Sequence, residues 1–408
     1  MGLALALAGC DKGDGLGLLG RSRASTESRR GSGGRNEEDD HPEGPRVWLS
    51  GVEFPAAYDW QRDTAYGSVD ARLVLFRDGE RRLAIPAGEK HHVSTDPDMH
   101  RIVGGHLYTD YSSGEATYIG RDGKELFRFD GREMMAGFLV RETEIWTLGL
   151  DRDTGRGITL RKNGEPVFTD PQGRLQAGDG REGGLLQEDD GHLYFYYYQE
   201  TRKNGGTVVR NWYQVCDGRA ENLLLPQGVS AILDACRTGG KTILATLTLN
   251  GGRNLTVLRG NESLAYSTGV GDSVRGIRIL PAGGGKFYIK GEILSGSQVR
   301  PVLWDPEGVP NFLQTGTTIL DAFAESGHFA YLWTNPQGSP VHCVVDGFGQ
   351  SLEGRNHYIS SHCARLSGGS FYLALTPFDR SAKPFLLKDG VRQEIPLYGY
   401  LTYVSITR

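Results

Sequence analysis

The stretch that decides the fold is residues 367–395, "SGGSFYLALTPFDRSAKPFLLKDGVRQEI". A glycine pair, Gly368-Gly369, leads into a short aromatic strand, Phe371-Tyr372-Leu373. A polar turn follows, then a second apolar strand, Phe385-Leu386-Leu387. The tight turn Lys388-Asp389-Gly390 opens a third short strand that ends at Ile395. Asp-Gly between two short apolar runs is a hairpin signal, because both central residues of such a turn need positive φ.

Working outward, the same turn glycine recurs at Gly79, Gly123, Gly164, Gly218, Gly260, Gly308, Gly347 and Gly390. The spacing averages about 44 residues, and a period of 40–50 with several strands per unit belongs to the β-propeller. Most copies carry Asp-Gly or Asn-Gly; those at Gly260 and Gly308 depart and are expected to use a different turn. A second landmark lies upstream in most copies: "GGHLY" at 104–108, "DGHLY" at 190–194, "GGKTI" at 239–243, "GGKFY" at 284–288, "SGHFA" at 326–330 and "GGSFY" at 368–372. One unit then reads as an inner strand ("MHRIV"), a second ("HLYTDY"), a third ("ATYIG") and a short outer one ("ELFRF"). A single unit cannot bury both faces of its sheet, so radial stacking of neighbours supplies the core.

The ends sharpen this. The first unit starts at Val47-Trp48-Leu49, which reads as a second strand, so its inner strand is missing. The tail "YLTYVSITR", residues 400–408, alternates like an inner strand and has nothing after it. The expectation is an all-β, eight-bladed propeller over residues 46–408, built of four-stranded antiparallel blades and closed by the C-terminal strand. Seven blades plus an accessory hairpin is the alternative, because residues 54–70 and 199–210 are long insertions.

Composition agrees. Among 408 residues there are 59 Gly, 18 Tyr, 15 Phe and 6 Trp but only 4 Met, which suits many short strands joined by turns. The formal net charge of −5 argues against a general nucleic-acid or anionic-membrane surface. No apolar run is long enough for a transmembrane helix.

The chain opens "MGLALALAGCDKGDG", and Leu7-Ala8-Gly9-Cys10 resembles a bacterial lipoprotein box. The resemblance implies a signal over residues 1–10, removed up to Cys10, and a lipid on the Cys10 sulfur. No Lys or Arg precedes Leu3, and the apolar stretch is short for a secretion signal. Each buried acyl CH₂ contributes roughly 0.8 kcal/mol, so several chains anchor stably. Residues 11–45 are Gly, Ser, Arg and acidic residues, with a basic half from Arg21 to Arg35 and an acidic half from Glu37 to Glu43. They bury too little to offset ordering entropy and read as a disordered tether with a reach of roughly 30–35 Å.

The repeat pattern resembles uncharacterised lipoproteins of Bacteroidetes-type bacteria, built from repeats of a "VYVAGYE…YWKNG…L" kind. Val47-Trp48-Leu49-Ser50-Gly51-Val52-Glu53 with Arg77-Asp78-Gly79 carries the likeness best. It covers residues 46–408 through short motifs, implies the propeller fold and brings no catalytic residues. Sialidase boxes, quinone-dehydrogenase docking repeats, per-blade Trp-Asp pairs, nucleophile elbows and phosphate loops are absent from the sequence.

His91, His92 and His100 lie near Asp96 and Asp98, but no helical or hairpin spacing forces them onto one point, so no metal centre is expected there. Asp151 to Gly155 begins like a calcium loop and lacks the later acidic ligand. Inner strands offer Asp98, His100, Arg278, Asp321 and His362 as channel candidates, with no recognisable acid/base set among them. Cys216 and Cys236 are 20 apart, as are Cys343 and Cys363. In each pair the first precedes a hairpin turn and the second lies on the next inner strand, which makes a blade-to-blade disulfide conceivable beside four buried thiols. Tyr194 to Tyr198 alternates between two faces, as a strand buried between neighbours does, with a carbohydrate-stacking surface as the other option.

These observations point to a lipid-anchored envelope propeller, monomeric in its body. It is expected to act as a binding or interaction scaffold for an envelope protein or glycan, without a cofactor and without nucleic acid. The outer membrane or cell surface is favoured as its location, and the periplasmic face of the inner membrane is the other. The rival class is a propeller enzyme acting on glycans, which needs convergent carboxylates or histidines at one mouth.

Overall fold

The computed structural model describes residues 45–407 apart from 57, 61–68, 97–98, 113–114, 132, 142, 176–184, 204–207, 249–253, 261, 267–272, 326, 336–340, 352–356, 359–361, 378 and 380–381. Cys10, residues 11–44 of the expected tether and Asp98 therefore lie outside the described residues.

Eight antiparallel sheets make an eight-bladed β-propeller, one sheet per turn glycine. Blade 1 runs from rim to channel as Glu80–Pro86, Arg72–Arg77, Arg46–Glu53 and Gly399–Thr407. The last strand of the chain is thus the inner strand of the first blade. It pairs antiparallel with Arg46–Glu53 from Arg46↔Thr407 to Glu53↔Gly399, with one register shift at Ser50/Gly51. The inner strands of blades 2 to 8 are His100–Val103, Glu133–Arg141, Gln187–Asp189, Val229–Thr238, Ser273–Gly283, Thr318–Glu325 and Ala364–Ser367. The two insertions do not cost a blade. Residues 199–202 and 208–210 of one lengthen the hairpin of His192–Arg202 with Val208–Cys216. In the other, Phe54 and Trp60 pack on Tyr400 of the closing strand.

The core is a set of inter-blade layers. In blade 4 the alternation of a strand is fully used. Leu193, Phe195 and Tyr197 join Trp146 and Leu148 of blade 3. Tyr196 and Tyr198 join Ile232 and Leu244 of blade 5. All these rings are buried, so the aromatic run is core and not a carbohydrate-stacking surface. Burying each large apolar side chain contributes about 1.5–3 kcal/mol, spread around the ring rather than concentrated in one centre. The seam between blades 8 and 1 is apolar like the others: Leu49, Val74, Tyr372, Leu386, Leu401 and Val404 pack there.

The turns explain the repeat motif. At Asp78-Gly79, Asp122-Gly123, Asn163-Gly164, Asp217-Gly218, Asp346-Gly347 and Asp389-Gly390 both residues have positive φ, as a two-residue hairpin requires. In each, the Asp or Asn Oδ1 also accepts the backbone N–H of the facing second strand, at 2.8–2.9 Å, from Val47, Leu107, Ile145, Leu193, Phe329 and Phe371. The side chain is therefore a hairpin residue and a strand clamp at once. The copy at Gly308 does use another turn, in which Asp305 Oδ1 accepts the N–H groups of Glu307 and Val309.

Candidate functional site

The inner strands leave two adjoining cavities at the end of the channel where they run into the glycine turns. One, of about 720 Å³, is lined by blades 1 to 6, including Arg101, Glu188, Asp189, Arg237 and Arg278. The other, of about 400 Å³, is lined by blades 6, 7, 8 and 1, including Asp321, Glu325, His362 and Arg365. Both share Arg278, Leu280, Pro281, Ser405 and Ile406, so they are neighbouring regions of one mouth.

Most of the charges at this mouth are tied to one another or to the backbone. Arg278 Nη1 lies 3.5 Å from Asp321 Oδ1, and Lys290 Nζ reaches the same oxygen at 3.8 Å. Arg237 Nε lies 3.6 Å from Asp189 Oδ2. The Asp189 carboxylate accepts the amides of Gly239 and Gly240, at 3.1 and 3.0 Å, and Glu325 accepts that of Gly368 at 3.1 Å. An acid at the end of one inner strand thus staples the glycine turn of the next blade. Arg101 and Arg365 each donate to the carbonyl of the preceding residue, at 2.6 and 2.9 Å.

Of the channel candidates, the structure brings together Arg278 and Asp321. His362 lines the smaller cavity but is buried, bridged to Tyr403, with its ring 5.3 Å from the Tyr403 ring. His100 is fully buried away from the mouth, its Nε2 2.7 Å from the Ser94 carbonyl oxygen. Asp98 is not among the described residues. Sequence reasoning missed Arg101, Glu188, Asp189, Arg237, Glu325 and Arg365. The signal was present as an arginine two or three residues before a glycine pair, in "RIVGG", "RTGG" and "RLSGG".

No disulfide joins Cys216 to Cys236 or Cys343 to Cys363. The expected bridges fail for one reason in both pairs. Cys236 packs with Ile277, Ile279 and Phe287 of blade 6, facing away from blade 4. Cys363 packs with Leu49 and Val74 of blade 1, facing away from blade 7, and its Sγ lies 3.5 Å from the Leu401 carbonyl oxygen. Strand alternation puts the second thiol of each pair on the far face of its blade. Burial pushes the Cys343 thiol up to about 12.

A second polar feature lies on the turn side. Where the second strand begins with His, its Nδ1 meets the turn Asp Oδ2: His106–Asp122 at 2.6 Å, His192–Asp217 at 2.7 Å and His328–Asp346 at 2.7 Å. For Asp217 and Asp346, burial pushes the carboxyl up. The hydrogen bonds from His and from the strand amide outweigh it, so both lie below the usual carboxylate value. The sequence held both halves of this clasp, in "HL" or "HF" and in "DG", without showing that they meet.

No protein-family model matches the chain, and no curated protein matches it. Among solved structures it is similar to the β-propeller domain of the Trilobed protease from Pyrococcus furiosus, described as having an open velcro topology. That match is 12% identical, covers 76% of this chain and 93% of that one, and has a TM-score of 0.47. It is also similar to the acylaminoacyl peptidase of Pyrococcus horikoshii, at 12% identity over 84% of this chain and 59% of that one, TM-score 0.45. TolB from Acinetobacter baumannii matches at 13% identity over 74% and 81%, TM-score 0.34. The fold rests on the chain's own sheet topology: it is an eight-bladed β-propeller closed by its last strand.

Proposed function

We propose that the chain is a lipid-anchored protein of the bacterial cell envelope, at the outer membrane or cell surface, that binds an envelope protein partner over its channel mouth. One observation carries the binding role: a mouth of about 720 Å³ lined by charged side chains from several blades, among which Arg237 with Asp189 and Arg278 with Asp321 are already paired. Such a rim offers orientation and specificity to a partner without a group poised for proton transfer. The anchor rests on the box ending at Cys10.

A glycan hydrolase needs two carboxyl groups about 5–9.5 Å apart. Asp321 and Glu325 lie on one strand, four residues apart, which at 3.3 Å per residue is about 13 Å. Asp321 is further held by two cations. Glu188 and Asp189 are consecutive on a strand and point to opposite faces.

The test is cross-linking and capture of the anchored chain from its native envelope. The expected result is a protein partner whose capture is lost in Arg101→Glu/Arg237→Glu, with the lipid found on Cys10 by mass spectrometry. Turnover of an envelope glycan by the purified chain would refute the binding role. An unmodified Cys10 in the membrane fraction would refute the anchor.

A further inference from the structure

We propose that His192, Cys216 and Asp217 of blade 4 form a binding site for one divalent transition-metal ion, zinc above all. The three donor atoms, His192 Nδ1, Cys216 Sγ and an Asp217 carboxylate oxygen, all lie within 4.8 Å of one another. The proposal does not rest on the channel mouth or on the anchor.

The register makes the cluster. Tyr194 is directly opposite Cys216, so their side chains share a sheet face. His192 has the same parity as Tyr194 and is the diagonal neighbour of Cys216 on that face. Asp217 follows Cys216 as the first residue of the hairpin turn, with a left-handed φ of 45°. Its Oδ1 accepts the Leu193 amide at 2.9 Å, which fixes the carboxylate and leaves Oδ2 turned to His192 at 2.7 Å and to Cys216 Sγ at 4.0 Å.

The separations suit insertion of an ion. Tetrahedral bonds of about 2.0–2.3 Å put N, O and S donors about 3.3–3.6 Å apart. The Nδ1–Oδ2 contact opens by roughly half an ångström and the Sγ–Oδ2 separation closes by a similar amount. Both moves are within side-chain rotation, since the His192 and Asp217 side chains are 55% and 40% exposed. A mixed N, S, O donor set selects zinc or cobalt over magnesium or calcium. The Leu193 amide is the outer contact that orients a ligand. Three protein ligands leave the fourth position to water. The nearby Arg141 guanidinium donates to the Gly191 carbonyl oxygen at 2.6 Å and lies 3.0 Å from Glu144, which neutralises it.

The other blades act as controls within the molecule. The clasps His106–Asp122 and His328–Asp346 have nearly the same geometry. At the position of Cys216 they carry Arg121 and Val345. Three blades hold the pair, and among them blade 4 adds the thiol.

The test is titration of Co²⁺ into the full-length chain carrying Cys10→Ser, followed by absorbance. The expected result is one equivalent bound with a thiolate-to-cobalt charge-transfer band, displaced by Zn²⁺. Loss of an outer-shell partner alone costs about 10–100-fold in affinity, so Cys216→Ser is expected to weaken binding at least about 100-fold and abolish the band. Cys343→Ala leaves both unchanged. Arg121→Cys, which completes the same triad in blade 2, adds a second equivalent. Absence of the band, unaltered affinity in Cys216→Ser, or no second equivalent in Arg121→Cys would each overturn the proposal.

Discussion

Replacing Leu401 by Ala tests whether the last strand is a structural joint of the ring. Leu401 is fully buried at the seam of blades 8 and 1, among Leu49, Val74, Tyr372, Leu386 and Val404. Removing a buried Leu side chain costs about 2–5 kcal/mol, depending on how far the site collapses around the void. Here collapse is hindered. The Leu401 N–H donates to Thr376 Oγ1 at 2.9 Å, and its carbonyl oxygen lies 3.5 Å from the Cys363 sulfur, so the backbone is held from blade 8. Its own strand is held by the ladder to Arg46–Glu53. The cost therefore falls in the upper half of that range, near ~4 kcal/mol. With a urea slope of about 3 kcal/mol per M, the unfolding midpoint drops by about 1 M or slightly more. The assay is urea unfolding followed by tryptophan fluorescence, with Leu224→Ala as control. Leu224 is 91% exposed, so its loss is expected to stay within about 0.5 kcal/mol. A Leu401→Ala chain that unfolds at the same urea concentration as the control would refute the closing-strand argument.

Three further outcomes are expected. In a Cys10→Ser chain, an aromatic disulfide reagent labels Cys216 in the native state, whereas Cys236, Cys343 and Cys363 react only in denaturant, because all three are buried. Asp346→Asn keeps the strand clamp, as Asn163 does in blade 3, but removes the carboxylate that faces His328 Nδ1. The two side chains are 44% and 40% exposed, so the melting temperature at neutral pH falls by no more than about 3 °C. A carboxyl held low in the folded state contributes above its unfolded value and loses that contribution as pH falls through its folded value. Melts from neutral to acid pH should therefore show the gap to wild type closing below about pH 4; a gap that widens in acid would contradict the sign. Asp321→Asn leaves Arg278 and Lys290 facing each other and costs about 1–3 kcal/mol, and adding Arg278→Met recovers some of it. A double-mutant cycle in urea reads the coupling, and strict additivity would argue against the pairing.

The fold was legible because its evidence is local and repeated. Each Asp-Gly turn and each glycine pair marks a fixed place in a blade, and Val47 starting as a second strand left a vacancy that Tyr400 to Val404 fills. The site was less legible because its contacts join residues on separate blades. Arg278 and Asp321 are 43 residues apart, and their approach depends on the angle between blades, which no strand pattern states. The disulfides failed on a similar point. Spacing placed Cys236 and Cys363 on the right strands, but which neighbour each face meets is set by packing: Cys236 follows Ile277 and Phe287, and Cys363 follows Leu49. The blade 4 clasp was within reach. Pairing the second strand with the third puts His192 beside Asp217, a step that needed register rather than composition.

The closing ladder also has a mechanical meaning. Arg46 and Thr407 are partners at the same end of the blade 1 ladder. A pull applied between them acts across the strands, parallel to the inter-strand hydrogen bonds of an antiparallel pair. Those bonds then break in succession from Thr407 towards Gly399, as a zip opens, rather than all resisting together.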